Sequence, residues 1–248
     1  MKMMQEEKVY IIKEVKNPKV SVIVPTLNEE RYIEKTLLSI KNQMLNFPIE
    51  IIVSDGKSND KTVKIAKKYA NKIIIYNKRS PAIQRNMGAK YAKGEYLIFV
   101  DADTILLPNT IQEILKVLKK KNVSLVACPI LPIEYKLPNF FLFWFFNQFS
   151  KTSIKTKKPQ IVGIIIGTKK KDFLKVKGFD EKKNIFEDYD FSEKISKIGK
   201  ISIVNSTFVL TSSRRIEKWS KTKNVRSLIS YFTYLFTGKG IGKYEMVR

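Results

Sequence analysis

Histidine is absent from this chain of 248 residues, and cysteine occurs once, as Cys128. The lack of histidine excludes a Ser-His-Asp triad, a histidine base and histidine metal ligands. Any bound metal is therefore expected to be held by oxygen, which suits a hard ion such as Mg²⁺ or Mn²⁺. A single cysteine excludes an intramolecular disulfide framework and favours a reducing compartment.

Acidic residues are scarce. The chain has 23 of them against 47 lysines and arginines, which gives a net charge of +24. Three interpretations compete: binding to nucleic acid, binding to an anionic membrane surface, and a lysine-rich composition spread over a solvated surface. The sequence has no RNP-like motif, zinc-ligand spacing or basic helix with heptads. We therefore expect no nucleic-acid partner, and the other two interpretations stay open.

Long hydrophobic runs are also missing. No segment approaches the roughly 20 apolar residues that a membrane-spanning helix needs. The first 19 residues lack the apolar core and small-residue cleavage site of a signal peptide. We expect a cytoplasmic protein, which leaves open peripheral contact with the cytoplasmic face of the cell membrane.

The first 130 residues alternate between strand-like and helix-like patterns. Apolar runs such as "VSVIVP" from Val20, "IEIIVSDG" from Ile49 and "EYLIFVDAD" from Glu95 are separated by helical spacings. One predicted helix covers 58–70, with Ser58 or Asn59 as its cap. This alternation predicts an α/β fold of the GT-A, Rossmann-like type, with a mostly parallel sheet and helices on both faces. Ligands of such sheets bind beyond the carboxyl ends of the strands.

The second half is less regular. It has an aromatic stretch at 138–149, an acidic cluster that opens a helix at 187, and a predicted strand pair within 200–215. We expect one domain over 1–248. Its parts are a nucleotide-binding half at about 18–130, an acceptor-side half at about 131–215 and an amphipathic tail at about 216–248.

Two carboxylates, Asp101 and Asp103, follow a buried strand at positions i and i+2. Such a pair suits a divalent ion that also holds a diphosphate, since Mg²⁺ and Mn²⁺ are usually bound through one or two carboxylates plus phosphates. A D-x-D string on its own is weak evidence, because short acidic pairs are common in solvated turns. Its weight depends on the motifs around it.

Five motifs occur in order along the chain: "SVIVPTLNEERYIEKTLLSI", "EIIVSDGKSNDKT", "QRNMGAKYAKGEYLIFVDADT", "FEDYD" and "TSSRR". Together they resemble the family-2 glycosyltransferases, which have a GT-A-type fold, and the resemblance covers about Val20 to Trp219. The last motif, followed by Trp219, resembles a subgroup with a TS-x-RR string. The resemblance implies inverting transfer of a sugar from a nucleoside diphosphate, with UDP or GDP as carrier.

The resemblance also implies roles for single residues. Asp55 matches the residue that binds the edge of the base, and Asp103 matches the main metal ligand, with Asp101 on the metal or the ribose. Arginine side chains could clamp the diphosphate through paired hydrogen bonds. The residues expected around the donor are Pro25, Thr26, Asn28, Glu29, Asp55, Gly56, Arg85, Asn86, Asp101, Arg214 and Arg215. The alternatives are an ordinary turn at Asp55-Gly56 and a solvated helix face at Arg85-Asn86.

Glu187 and Asp188 match the acidic pair that opens a helix in this family. The resemblance makes Asp188 the catalytic base, which takes the proton of the acceptor hydroxyl. For Glu187 we favour a structural role, because carboxylates stabilise helix N-termini.

Two features depart from the family pattern. The late histidine metal ligand of many members is missing, so diphosphate and water would complete the metal shell. The QxxRW string of processive synthases is missing too, which argues for single transfers.

The aromatic stretch and the basic tail suggest a lipid-linked or membrane-proximal acceptor, such as one on a polyprenyl phosphate. For the aromatic stretch, a core helix or a contact between subunits stays open. An ionised lipid phosphate would need no base, and Asp188 would then bind metal or orient the acceptor.

Two other functions remain as alternatives. A nucleotidyltransferase can share a similar sheet, but it would have a glycine-rich basic loop where this chain has "PTLNEE" from Pro25. A non-catalytic basic module that binds membrane or nucleic acid would not depend on Asp103 or Asp188.

Overall fold

The computed structural model describes residues 7–134, 136–156, 158–183, 185–214 and 217. Predictions that fall on Arg215, Trp219 or the tail beyond 217 lie outside this range. The helices α1 to α7 are Ile33–Lys41, Thr62–Ala66, Pro81–Tyr91, Thr110–Leu118, Leu137–Ser153, Lys170–Lys175 and Glu187–Ser196. The strands β1 to β11 are Lys8–Ile11, Val20–Thr26, Ile49–Asp55, Lys72–Ile75, Tyr96–Val100, Thr104–Leu106, Val123–Ala127, Ile130–Pro132, Ile165–Lys169, Lys200–Ile203 and Val209–Thr211.

Eight strands form one large sheet in the order β1-β4-β3-β2-β5-β9-β7-β10. The central strands β4, β3, β2 and β5 are parallel, whereas β9 runs antiparallel to both of its neighbours. The predicted α/β fold with a mostly parallel sheet is confirmed. Since β2, β3 and β5 are adjacent and parallel, their carboxyl ends meet at one edge of the sheet.

Helices cover both faces of this sheet, as predicted. Alternate residues of β2 point to opposite faces, so Val22 and Val24 pack into one apolar cluster and Ile23 into the other. The first cluster includes side chains of α1, α2 and α4, and the second includes side chains of α3, α6 and α7. Burial on both faces explains why these strands are continuous apolar runs.

A second sheet consists of three short strands in the order β6-β11-β8. Its strand β11 pairs with β6 and β8 and leads directly to Ser212, Ser213 and Arg214. The predicted strand pair within 200–215 was wrong, because β10 joins the large sheet and β11 the small one. Because β11 pairs with β6, Arg214 after β11 lies close to Asp103, which precedes β6.

Two further local predictions need correction. The helix predicted at 58–70 begins at Thr62, after a loop in which Ser58 and Asn59 bond to other residues instead of capping the helix. Strand β1, which pairs antiparallel with β4, was not predicted. The described residues contain no helix long and apolar enough to cross a membrane.

Candidate active site

Asp55 ends β3 beside Thr26, the last residue of β2. Its carboxylate accepts hydrogen bonds from Thr26 Oγ1 at 2.8 Å, from Ser58 Oγ at 2.6 Å and from the Ser58 N–H at 2.7 Å. Burial raises the pKa of Asp55, and these three donors oppose that rise. The carboxylate is thus fixed in orientation, and Pro25 and Thr26 are buried on the neighbouring strand β2.

The loop after β2 is held against the loop after β3. Asn28 has a positive φ of 56°, a conformation that asparagine tolerates better than most residues. Its N–H donates to Ser58 Oγ at 2.8 Å, and its Oδ1 accepts from the Asn59 N–H at 2.9 Å. The next N–H, of Glu29, donates to Thr62 Oγ1 at 2.7 Å. These bonds turn the Glu29 side chain toward Arg214.

Arg85, on α3, is buried and not on a solvated helix face. Its Nη2 donates to Asp101 Oδ1 at 2.8 Å and to the carbonyl of Gly163 at 3.2 Å, and its Nη1 donates to Glu187 Oε1 at 2.8 Å. The guanidinium also lies 5.3 Å from the ring centroid of Phe179. Burial works against its charge, but the two carboxylates outweigh burial and raise the pKa of Arg85.

Asp103 and Glu29 share a second arginine. Arg214 Nη2 lies 2.7 Å from Glu29 Oε1 and 3.1 Å from Asp103 Oδ2, with its guanidinium 4.5 Å from the ring centroid of Tyr32. Burial raises the pKa of Glu29 although Arg214 lowers it, and the charges of Asp103 and Asp101 add to the rise. The structure thus joins three of the predicted donor residues, Glu29, Asp101 and Arg214, and the predicted metal ligand Asp103 in one charged cluster.

Asp188 opens α7 next to Glu187 and is partly exposed. Its Oδ2 accepts the Gly163 N–H at 2.6 Å, and its Oδ1 accepts the Tyr189 N–H at 3.0 Å. Burial, followed by the charge of Glu187, raises the pKa of Asp188 to about 7, while Arg85 and the two N–H donors oppose the rise. A carboxyl poised near neutrality is suited to exchange a proton with a substrate.

Two predicted residues have mainly internal partners. Asn86 Nδ2 donates to the Phe179 carbonyl at 2.9 Å, and Asn86 Oδ1 accepts the Phe179 N–H at 3.0 Å. A Cβ atom at Gly56 would lie 2.2 Å from Gln84 Nε2, so the end of that side chain on α3 would have to shift to make room for it. Their contacts with a donor stay predictions.

Sequence reasoning missed Gly163, whose carbonyl accepts from Arg85 and whose N–H donates to Asp188. A Cβ atom there would lie 2.8 Å from Asp188 Cβ, so any side chain would displace that carboxylate. It also missed Phe186, which enters α7 with φ of 60°, a strained value for a bulky residue. The contacts of Gly163 have no signal in the local sequence, because Arg85 and Asp188 lie 78 and 25 residues away from it.

The cluster offers oxygen ligands to a divalent cation. Within the described residues, no group of three Asp, Glu or Cys side chains is arranged to hold a metal ion. Asp101 and Asp103 nevertheless supply two carboxylates of the kind that Mg²⁺ and Mn²⁺ prefer. Glu29 Oε2 is buried without a hydrogen-bond partner, so it has lone pairs to offer. The residues present fit such an ion if a bound diphosphate completes its shell.

Comparison with known proteins assigns the family. The model of "Glycosyl transferase family 2" matches residues 21–171, more than half of the chain. The chain belongs to this family. The expectation that the chain belongs to the family-2 glycosyltransferases is thereby confirmed, whereas the TS-x-RR subgroup stays a prediction.

One curated relative of this chain is the minor teichoic acid biosynthesis protein GgaB of Bacillus subtilis, 36% identical over 68% of the chain but only 20% of that protein. Among solved structures, Staphylococcus aureus TarS in complex with UDP-GlcNAc has a TM-score of 0.64 at 23% identity, over 87% of this chain and 66% of that one. The mannosyltransferase PcManGT of Pyrobaculum calidifontis, with GDP-Man and Mn²⁺, has a TM-score of 0.66 at 21% identity, over 91% and 66%. Both structures share the fold of this chain.

Replacement of Arg85 by lysine tests the bridge between β5 and α7. Lysine keeps the charge but cannot donate in a planar fork to two carboxylates, so one of them is left buried without its partner. We expect the free energy of unfolding, measured in urea at pH 7.5, to fall by about 3 kcal/mol. Arg79→Lys, at an exposed position just before the same helix, is the control and should change it by less than about 0.5 kcal/mol. Equal effects of the two substitutions would contradict the bridge.

Proposed function

We propose that this enzyme transfers a sugar from a UDP- or GDP-linked donor to an acceptor in a metal-dependent, inverting and non-processive reaction. The observation that carries the proposal is the placement of Asp55, Asp101, Asp103 and Asp188 around one end of the sheet, with Asp188 tuned near neutrality. The fold neighbours that hold UDP-GlcNAc, or GDP-Man with Mn²⁺, support a nucleotide-sugar donor and a divalent ion.

The donor side would use the rigid carboxylate of Asp55 to accept hydrogen bonds from the base. Thr26 keeps this carboxylate in place and Asn28 keeps its loop in place, with Pro25 beside them at the end of β2. Near the diphosphate, Arg214 is the one described arginine of the predicted pair, and it would exchange its carboxylate partners for phosphate oxygens. Arginine suits this exchange, since its fork matches phosphate as well as carboxylate.

Asp101 and Asp103 would hold Mn²⁺ or Mg²⁺ together with the diphosphate, with Glu29 close by. When bound, such an ion neutralises negative charge on the departing nucleoside diphosphate. Arg85 keeps Asp101 Oδ1 fixed, which leaves its other oxygen for the ion or the ribose.

Asp188 would be the base. Its carboxylate would accept the proton of the acceptor hydroxyl while that oxygen attacks the anomeric carbon from the face opposite the diphosphate, which inverts the configuration. The Gly163 N–H holds the carboxylate at a fixed position, and the nearby positive charge of Arg85 stabilises its ionised form. We expect the acceptor to be lipid-linked or membrane-proximal, for which the aromatic helix α5 is the supporting feature.

The substitution Asp188→Asn removes the proton acceptor at almost unchanged volume. We expect kcat for glycosyl transfer to fall by about 10²–10⁴-fold, while the nucleotide still raises the melting temperature. Asp190→Asn is the matched control, because Asp190 pairs with Lys183 and Lys194 and has no place in the proposed chemistry. A variant at 188 that keeps full turnover, or a control that loses it equally, would remove Asp188 from the role of base.

The raised pKa of Asp188 predicts a pH dependence. Since only the ionised carboxylate accepts a proton, kcat/KM should rise with unit slope in logarithmic plots and level off above about pH 7. The folded state binds this proton more tightly than the unfolded state, so the associated stability is present below the unfolded pKa and is lost as pH rises toward 7. Wild type should therefore lose stability relative to Asp188→Asn between pH 4 and 7. A flat rate profile from pH 5 to 8 would contradict the assignment.

A further inference from the structure

Helix α5 is inverted relative to an ordinary surface helix. A helix on a soluble protein normally turns apolar side chains inward and polar ones outward. On α5, by contrast, most of the buried positions are polar. The buried side chains are Asn139, Phe143, Ser150 and Ser153.

These inward polar groups have specific partners. Asn139 Nδ2 donates to Ser213 Oγ at 2.8 Å and to Glu217 Oε1 at 2.9 Å. Asn147 exchanges two hydrogen bonds with the backbone of Ile130 in β8, at 3.0 and 2.8 Å. The orientation of α5 is therefore fixed by hydrogen bonds, and the outward position of its aromatic face is built into the structure.

The outward face is a continuous apolar stripe. Leu137 is 64% exposed, Phe141 66% and Trp144 54%, with Phe140 and Phe145 exposed beside them. These positions follow the helical spacing of three and four residues, so they form one patch along one side of the helix. A contiguous aromatic patch of this kind marks an interaction surface.

The charges around this patch favour an anionic partner. Residues 137–153 contain no acidic side chain, and the exposed lysines Lys136, Lys151, Lys155 and Lys158 flank the two ends of the helix. The chain as a whole carries a net charge of +24. Tryptophan and phenylalanine over a lysine border is the composition of helices that lie at a lipid–water interface.

We propose that α5 docks flat on an anionic lipid surface, with the stripe from Leu137 to Phe145 in the acyl boundary and the flanking lysines on the headgroups. A helix of 17 residues is about 26 Å long, too short to span a hydrocarbon core of about 30 Å. This inference extends the proposed function, because it names the surface from which the acceptor would be reached.

The docking helix is connected to the donor site through a short path. Asn139 holds Ser213, and the next residue, Arg214, pairs with Glu29 and Asp103. Glu134, just before α5, accepts hydrogen bonds from both Ser212 and Ser213. A lipid-bound α5 would therefore place the charged end of the active site near the membrane surface.

Vesicle sedimentation with the full chain tests the proposal. The probes are vesicles of phosphatidylglycerol with phosphatidylcholine and vesicles of phosphatidylcholine alone. The variant Phe141→Glu with Trp144→Glu places two charges on the exposed stripe. The matched control, Met44→Glu with Leu174→Glu, adds the same charge at side chains that are 71% and 61% exposed outside α5.

We expect wild type and the control to bind the anionic vesicles, and the α5 variant to bind at least about tenfold more weakly. Absence of wild-type binding, or an equal loss in the control, would overturn the proposal. So would a wild-type dimer that the α5 substitutions dissociate, since a second copy would then cover the stripe. The proposal would also be overturned if the α5 variant alone had a lower melting temperature but still bound vesicles. Such a result would indicate that residues 218–248, and not lipid, cover the stripe. Nucleotide binding is measured without vesicles, so failure of the docking leaves the proposed function intact.

Discussion

The buried guanidinium of Arg85 connects three segments that are distant in sequence. It bonds to Asp101 after β5, to Glu187 at the start of α7 and to the carbonyl of Gly163 before β9. Without it, two carboxylates would lie close together in a poorly solvated place, at a cost of several kcal/mol. Gly163, whose carbonyl bonds to Arg85, donates its N–H to the Asp188 carboxylate and so fixes the position of that carboxylate as well. Asp101, expected on the donor side, and Asp188, expected on the acceptor side, are thus held in fixed positions relative to each other.

A second arginine, Arg214, also neutralises two carboxylates but in a more exposed position. Arg214 neutralises Glu29 and Asp103, but it is more exposed than Arg85, and it closely follows the short strand β11. Arg85 is therefore suited to a fixed structural role, and Arg214 to an exchange of partners when phosphate arrives. This division explains how a cluster of carboxylates stays stable before a cation binds.

The sequence predicts most of the central strands and where they end, but few of the side-chain contacts that join the segments of the site. Apolar runs ending in Asp55 and Asp101 identify strands and their carboxyl ends, because period and burial are local properties. The partners of Arg85, the need for glycine at 163 and the separation of β10 from β11 into two sheets depend on contacts outside the local sequence. The residues that make them lie from 16 positions apart, for Arg85 and Asp101, to 102 apart, for Arg85 and Glu187. For the same reason, Ser58 looks like a helix cap in sequence but binds Asp55 in the structure. The composition of 138–149 leaves a core helix, a contact between subunits and a lipid-facing segment open, and only the structure shows which of its side chains are exposed.

We expect a cation at Asp103 to complete the nucleotide-sugar site. The change in melting temperature on nucleotide binding tests this expectation. UDP, GDP and CDP would each be tested with and without Mn²⁺ on wild type and on Asp103→Ala, because a ligand that binds only the folded state raises the melting temperature. We expect one uridine or guanosine nucleotide to raise the melting temperature by about 5 °C or more at saturation, only with Mn²⁺ and only in wild type. No shift with any nucleotide, or an equal shift in Asp103→Ala, would contradict it.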